Sequence, residues 1–189
     1  MTSSFSPSIE HIRDLFLSAG TRLYGGEAVS QQEHALQAAW FAEKNGEPDA
    51  LVVACLLHDL GHLLFDENEE HLHNERDDLH QVRIVPYLSS LFPAELTAPI
   101  GMHVDAKRYL CHVDADYYAS LSDASRKSLV LQGGVMTAQE AERFIRADFA
   151  NEAIALRRCD DAAKVVGLAT PDFNHFLPRL KAVSEKERQ

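Results

Sequence analysis

Residues 51–64 read LVVACLLHDLGHLL, from Leu51 to Leu64. The run is helix-sized and almost entirely apolar, so it belongs in a core. Yet it carries His58, Asp59 and His62. A buried imidazole or carboxylate is costly unless it is paired or metal-bound, and the two together are a natural donor pair for a transition metal. The stretch therefore predicts a central helix that delivers ligands into the interior. Whether it does depends on further ligands elsewhere in the chain.

They are present. His34 lies in a helix announced by the capping box Ser30-Gln31-Gln32-Glu33, on a background of Ala, Leu and Trp. His80 begins an apolar-periodic stretch interrupted by Pro86, His103 sits in GMHVDAKRYL, and Asp160 in LRRCDDAAK. One histidine in such a place is usually a satisfied core or surface residue. Four histidines and two aspartates on separate helices exceed what one metal with an open position uses, normally three protein ligands. They suit two metals bridged by one carboxylate. Mixed nitrogen and oxygen donors favour iron, manganese or zinc over calcium.

The remaining chain reads as helix almost throughout. A short amphipathic helix is expected over residues 8–19, ending at Gly20, and the His34 helix should stop at Asn45-Gly46. Pro48 suits a first helical turn ahead of the apolar run. Pro93 and Pro99 punctuate the approach to a helix over residues 100–110, and Ser122 is placed to cap one running to Leu131. Thr137-Ala138-Gln139-Glu140 is a second capping box, opening a helical region expected to pass Lys164, and Pro171 restarts a C-terminal helix. Residues 65–78 form a charged, histidine-bearing loop. Alternating strand patterns and repeats are absent. The expectation is one all-α domain over residues 1–189, a helical bundle with a di-metal site in its core.

Composition narrows the function. Of 189 residues 46% are hydrophobic and 25% charged, ordinary for a globular protein. The net charge of −11 argues against nucleic acid as a partner, and means that an anionic substrate needs local cations. No run approaches the roughly 20 apolar residues that span a membrane, and MTSSFSPSIEHIRDLF lacks the pattern of a signal peptide. Cys55, Cys111 and Cys159 are odd in number and far apart, so reduced thiols in the cytoplasm are the simplest reading.

The ordered set His34, His58-Asp59, His80, His103, Asp160 resembles the HD-domain superfamily of metal-dependent phosphohydrolases, in its di-metal branch. YGGEAVSQQEH (24–34), LLHDLGH (56–62), HVDAKRYL (103–110), LSDASRKSLVLQGG (121–134) and the final Asp160-to-Lys164 spacing are similar to the small HD-domain di-iron oxygenases that cleave carbon–phosphorus bonds. The pattern departs most at residues 66–78. The resemblance implies that His34, His58, Asp59 and Asp160 hold one iron and that Asp59 bridges to a second held by His80 and His103, as an Fe(II)/Fe(III) pair using O2. The choice of Asp160 over Asp161 rests on that match. It implies catalytic roles for Tyr24, which occupies an iron position until substrate arrives, and Glu27, which turns toward the substrate's amino group. The glycines between them permit backbone movement that other residues resist.

The phosphonate would be held by His62, Lys107, Ser125, Ser128 and Arg157. His62 and Lys107 each follow a proposed ligand by four residues, on the same helix face. Lys164 could instead pair with Asp160 or Asp161. His11, His71, His73, His112 and His175 lie in charged or terminal stretches and receive no role. The implied reaction is O2-dependent cleavage of the C–P bond of 1-hydroxy-2-aminoethylphosphonate or its N-trimethyl analogue, giving phosphate and glycine or glycine betaine. A trimethylammonium would want aromatic faces, for which Tyr24, Phe65, Tyr109 and Tyr117 are candidates. The rival is an HD-type phosphohydrolase acting on a phosphate ester or nucleotide, in which the metals activate water. A third reading is a catalytically dead module, against which the complete ligand set argues.

Overall fold

The computed structural model describes residues 7–24, 27–65 and 79–184. The expected glycine pair Gly25-Gly26, the 66–78 loop and its His71 and His73 lie outside the described residues. The described residues form helices and no strand; an isolated bridge joins Leu23 to Ser30.

Six of the helices begin where a side chain answers the free N–H groups of the first turn. α1 (Ile9–Ala19) starts at Ser8, whose side chain accepts from the His11 N–H. It buries Ile9, Ile12 and Phe16, one helical stripe. α2 (Gln31–Lys44) has the full capping box: Ser30 Oγ accepts from the Glu33 N–H at 3.2 Å and Glu33 Oε2 from the Ser30 N–H at 2.7 Å. Its buried face is His34, Ala35, Gln37, Ala38, Ala39 and Ala42, and the small alanines let it lie close against the next helix. α3 (Asp49–Leu57) is buried on every side from Leu51 to Leu57 and is the core of the bundle.

The apolar run is not one helix. α3 stops at Leu57, His58 and Asp59 make a turn, and α4 (Leu60–Phe65) follows. The His58 ring takes the Cys55 carbonyl, and the His62 N–H closes on the Asp59 carbonyl at 3.0 Å, a tight i to i+3 bond. In an unbroken helix neighbouring side chains diverge by about 100°; the turn instead brings His58 and Asp59 to one point.

α5 (His80–Arg83) and α6 (Val85–Leu88) are single turns either side of Ile84. α7 (Ala94–Val113) is longer than expected and runs through Pro99. Proline costs a helix interior about 3 kcal/mol, but Leu96, Thr97 and Ile100 around it are buried, and that packing outweighs the lost bond. α8 (Ala115–Ser120) is capped by Asp114 and α9 (Asp123–Leu131) by Ser122, which accepts from the Ser125 N–H. α10 (Ala138–Ile145) has the second capping box.

The long helical region expected there divides into two helices. α10 ends at Ile145, Phe149 takes a left-handed conformation (φ 64°), and α11 (Ala150–Ala162) stops short of Lys164. The break lets α10 lay Ala141 and Phe144 against Ala106 on α7 while α11 turns back along α7 and α2. α12 (Phe173–Val183) is capped by Asp172 and pinned to the bundle by His175 and Arg179 on Glu43. The three cysteines are free and buried. Among the described residues no helix is long and apolar enough to cross a membrane.

Candidate metal centre and substrate pocket

The six predicted metal ligands come from α2, the α3–α4 turn, α5, α7 and α11 and meet inside the bundle, all at most 6% exposed. His34 Nε2 lies 3.2 Å from His58 Nε2, and the pair faces Asp59 Oδ2 at 3.6 and 3.4 Å. Asp160 Oδ1 is 3.4 Å from His34 Nε2. The other Asp59 oxygen, Oδ1, faces a second pair, His80 Nε2 at 3.1 Å and His103 Nε2 at 3.7 Å, themselves 3.4 Å apart. One carboxylate thus addresses two nitrogen pairs, one with each oxygen.

The imidazole orientation is fixed from behind. His34 Nδ1 donates to the Ala163 carbonyl, His58 Nδ1 to Cys55 and His103 Nδ1 to Ile100, each at 2.8 Å. With each of these Nδ1 atoms turned to a carbonyl, the Nε2 atoms point at one another, as they do around a metal ion. Asp59 Oδ2 and Asp160 Oδ1 are buried with no hydrogen-bond partner among the described residues. Clustered imidazole nitrogens and orphaned carboxylate oxygens are unfavourable in a dry interior without a cation, so the donor set fits metal. His34, His58 and Asp59 could hold one ion. A second grouping joins Asp59 and His80 with His62, expected only at the substrate, whose ring stacks on His80 at 4.0 Å.

The electrostatics agree. Burial lowers His34 to about 4 and His103 to about 3, keeping both neutral. Burial also opposes charge on His58, but Asp59 beside it outweighs this and raises it to about 9. Burial disfavours the Asp160 carboxylate, yet Arg157 and His58 hold its pKa well below the usual range.

Tyr24 lies flat on the His34 ring, centroids 3.8 Å apart and planes 12° off parallel, close to the Asp59 and Asp160 carboxylates. Burial raises its pKa, and Asp160 and Asp59 raise it further. Glu27 Oε1 accepts from Ser122 Oγ at 2.7 Å and lies 3.6 Å from Lys164 Nζ. Lys107 is 2% exposed and donates to Ser128 Oγ at 2.8 Å; burial, then the Arg157 charge, lowers its pKa to about 7. Ser125 Oγ accepts from Lys164 at 2.9 Å. Arg157 is committed to carboxylates: Nη1 sits 2.9 Å from Asp160 Oδ2, while Nε donates to Asp161 Oδ2 at 2.9 Å and to the Tyr117 hydroxyl at 3.2 Å.

The sequence does not single out Gln37, and it points Asp161 and Tyr117 to other parts. Gln37 clasps Val165, donating to its carbonyl at 2.8 Å and accepting from its N–H at 3.0 Å. A lone polar residue one turn from His34 on an alanine face was the available signal. Asp161 and Tyr117 join at 2.5 Å and hold Arg157; no local pattern marks that pairing. Beside Glu27 and Lys164 opens a pocket of about 450 Å³.

Residues 32–103 match the model of the HD domain. The chain is 38% identical over 178 residues to the 1-hydroxy-2-(trimethylamino)ethylphosphonate dioxygenase (glycine-betaine-forming) of Leisingera caerulea, covering 94% of this chain and 91% of the relative. It is 44% identical over 160 residues to the hydroxymethylphosphonate dioxygenase of Gimesia maris, covering 84% and 80%. An uncharacterized protein of Acanthamoeba polyphaga mimivirus is 31% identical over 89% of the chain and 78% of its own length. With the His-Asp cluster at its centre and likeness along nearly its whole length, the chain belongs to the HD-domain family, in the branch of these phosphonate dioxygenases.

Proposed function

We propose that the protein is an O2-dependent oxygenase cleaving the C–P bond of a 1-hydroxyalkylphosphonate at a two-iron centre. The substrate class includes hydroxymethylphosphonate, 1-hydroxy-2-aminoethylphosphonate and its N-trimethyl analogue. The observation that carries the reading is Asp59 addressing two histidine pairs with its two oxygens, in a chain related to two named phosphonate dioxygenases. The reaction balances as R–CHOH–PO3 dianion plus O2 giving R–COO⁻ plus H2PO4⁻, so the hydroxyl carbon and the phosphorus share the two oxygen atoms.

His34, His58, Asp59 and Asp160 would hold one iron, and His80 and His103, with Asp59 bridging, the other. The irons, when bound, would acidify the substrate hydroxyl and reduce O2. The chain's residues do the rest. Lys107 and Ser128 offer donors to the phosphonate, with Ser125 and His62 at its margins, and Arg157 keeps Asp160 ionised. Tyr24, stacked on the His34 ring, shields the centre until substrate displaces it. Glu27 meets the tail of the substrate.

The test is phosphate release from iron-loaded protein given each of the three phosphonates, with and without O2. Phosphate only with O2 supports the reading. Phosphate from a generic ester without O2, and none from the phosphonates, would favour the phosphohydrolase.

A further inference from the structure

The pocket beside the centre is lined by Glu27, Ser122, Asp161 and Lys164, with Leu121 and Ala162 as apolar wall. Lys164 Nζ lies 3.6 Å from Glu27 Oε1 and 3.8 Å from Asp161 Oδ1 and donates to Ser125 Oγ at 2.9 Å. Asp161 is itself held by Arg157. Two carboxylates, one ammonium and one guanidinium cancel, so the carboxylate that would receive a cationic substrate tail is already answered by the protein's own cation. No aromatic ring lines this pocket among the described residues, so charge rather than a π face governs how a tail is received.

We propose that Lys164 is a specificity-determining residue, an internal counter-ion to Glu27 that a cationic tail has to displace and a neutral tail does not. This rests on the phosphonate reading above and goes beyond it. The backbone around Lys164 is immobilised, with Ala163 O taken by His34 and Val165 clasped on both sides by Gln37. Its ammonium is not, since the side chain is 14% exposed and has a second acceptor in Ser125 and a second carboxylate in Asp161. Displacement therefore requires rotation of one side chain, away from Glu27 and toward Ser125 and Asp161. A partly buried pair of this kind is screened less than a surface one, so its removal shifts discrimination measurably.

The experiment measures anaerobic dissociation constants by calorimetry on the iron-loaded protein. The ligands are hydroxymethylphosphonate and 1-hydroxy-2-(trimethylamino)ethylphosphonate; the proteins are wild type, Lys164→Met and Lys164→Met/Glu27→Gln. Lys164→Met leaves the pocket negative and should improve the trimethylammonium ligand relative to the neutral one by about tenfold. The double variant restores neutrality and should return the ratio to that of wild type, which a merely structural lysine would not do. An unchanged ratio in Lys164→Met, a ratio that the second substitution fails to restore, or binding of neither ligand would overturn the proposal. Phosphate release with O2 is scored separately, so a shifted binding ratio without turnover would sink the oxygenase reading while sparing Lys164.

Discussion

Lys107 shows at the residue scale how binding is obtained at a cost in stability. Its ammonium is buried on α7 with the Ser128 hydroxyl as its hydrogen-bond acceptor, and burial, aided by Arg157, lowers its pKa to about 7. A lysine whose folded pKa is depressed destabilises the fold fully below the folded value, where it must be charged in both states. The penalty shrinks as pH rises from about 7 toward the ordinary lysine value, because the unfolded chain then holds the proton that the folded one has released. Lys107→Met should therefore raise the melting temperature of the metal-free protein at pH 6, the gain shrinking at pH 9, while weakening phosphonate binding at least about tenfold. Denaturation at the two pH values checks the first part and calorimetry the second. A variant less stable than wild type at pH 6 would contradict the account.

At the element scale the centre depends on close contact between α4 and α5. A methyl group on Gly61 would stand 2.6 Å from the His80 carbonyl oxygen and 3.1 Å from its Cβ. Backbone has to move to admit it. Gly61→Ala should cost about 1–3 kcal/mol and displace His80, lowering the bound metal content, with the His34–His58 side spared. Metal analysis beside a thermal melt tests this; full iron loading would show that α5 yields without consequence.

The elements differed in how legibly they were written. Ser30/Glu33 and Thr137/Glu140 announce α2 and α10 because a capping box is a local interaction, complete within four residues. The breaks were hidden for the converse reason. Nothing near His58 and Asp59 interrupts the apolar run; the turn exists because their side chains have a common target supplied by α2, α5, α7 and α11. Phe149 adopts a left-handed conformation with no glycine or proline to signal it, and Pro99 suggested a helix start where buried neighbours carry the helix through. The candidate ligands stood out because a polar residue on an apolar face is anomalous in itself. Gln37 and Tyr117 matter through partners 40 or more residues away, a relation that no local pattern encodes.

On the scale of the whole molecule, the core is built around charges that it cannot satisfy alone. Asp59 and Asp160 keep orphaned oxygens, and histidine Nε2 atoms face each other at 3.2 and 3.4 Å. Ions that bind only the folded chain add stability by mass action. Removal of metal by a chelator should lower the melting temperature by about 5–10 °C, taking metal at about a hundred times its dissociation constant. Restoring iron should recover it, and a melting temperature indifferent to metal would place the binding energy elsewhere. The central claim is that the same centre spends O2 on a carbon–phosphorus bond. The most direct measurement supplies the iron-loaded protein with hydroxymethylphosphonate and isotopically heavy O2 in ordinary water, then examines the phosphate and the carboxylate by mass spectrometry. Heavy oxygen from the gas in the products is the predicted result; products that carry oxygen from water alone would contradict it.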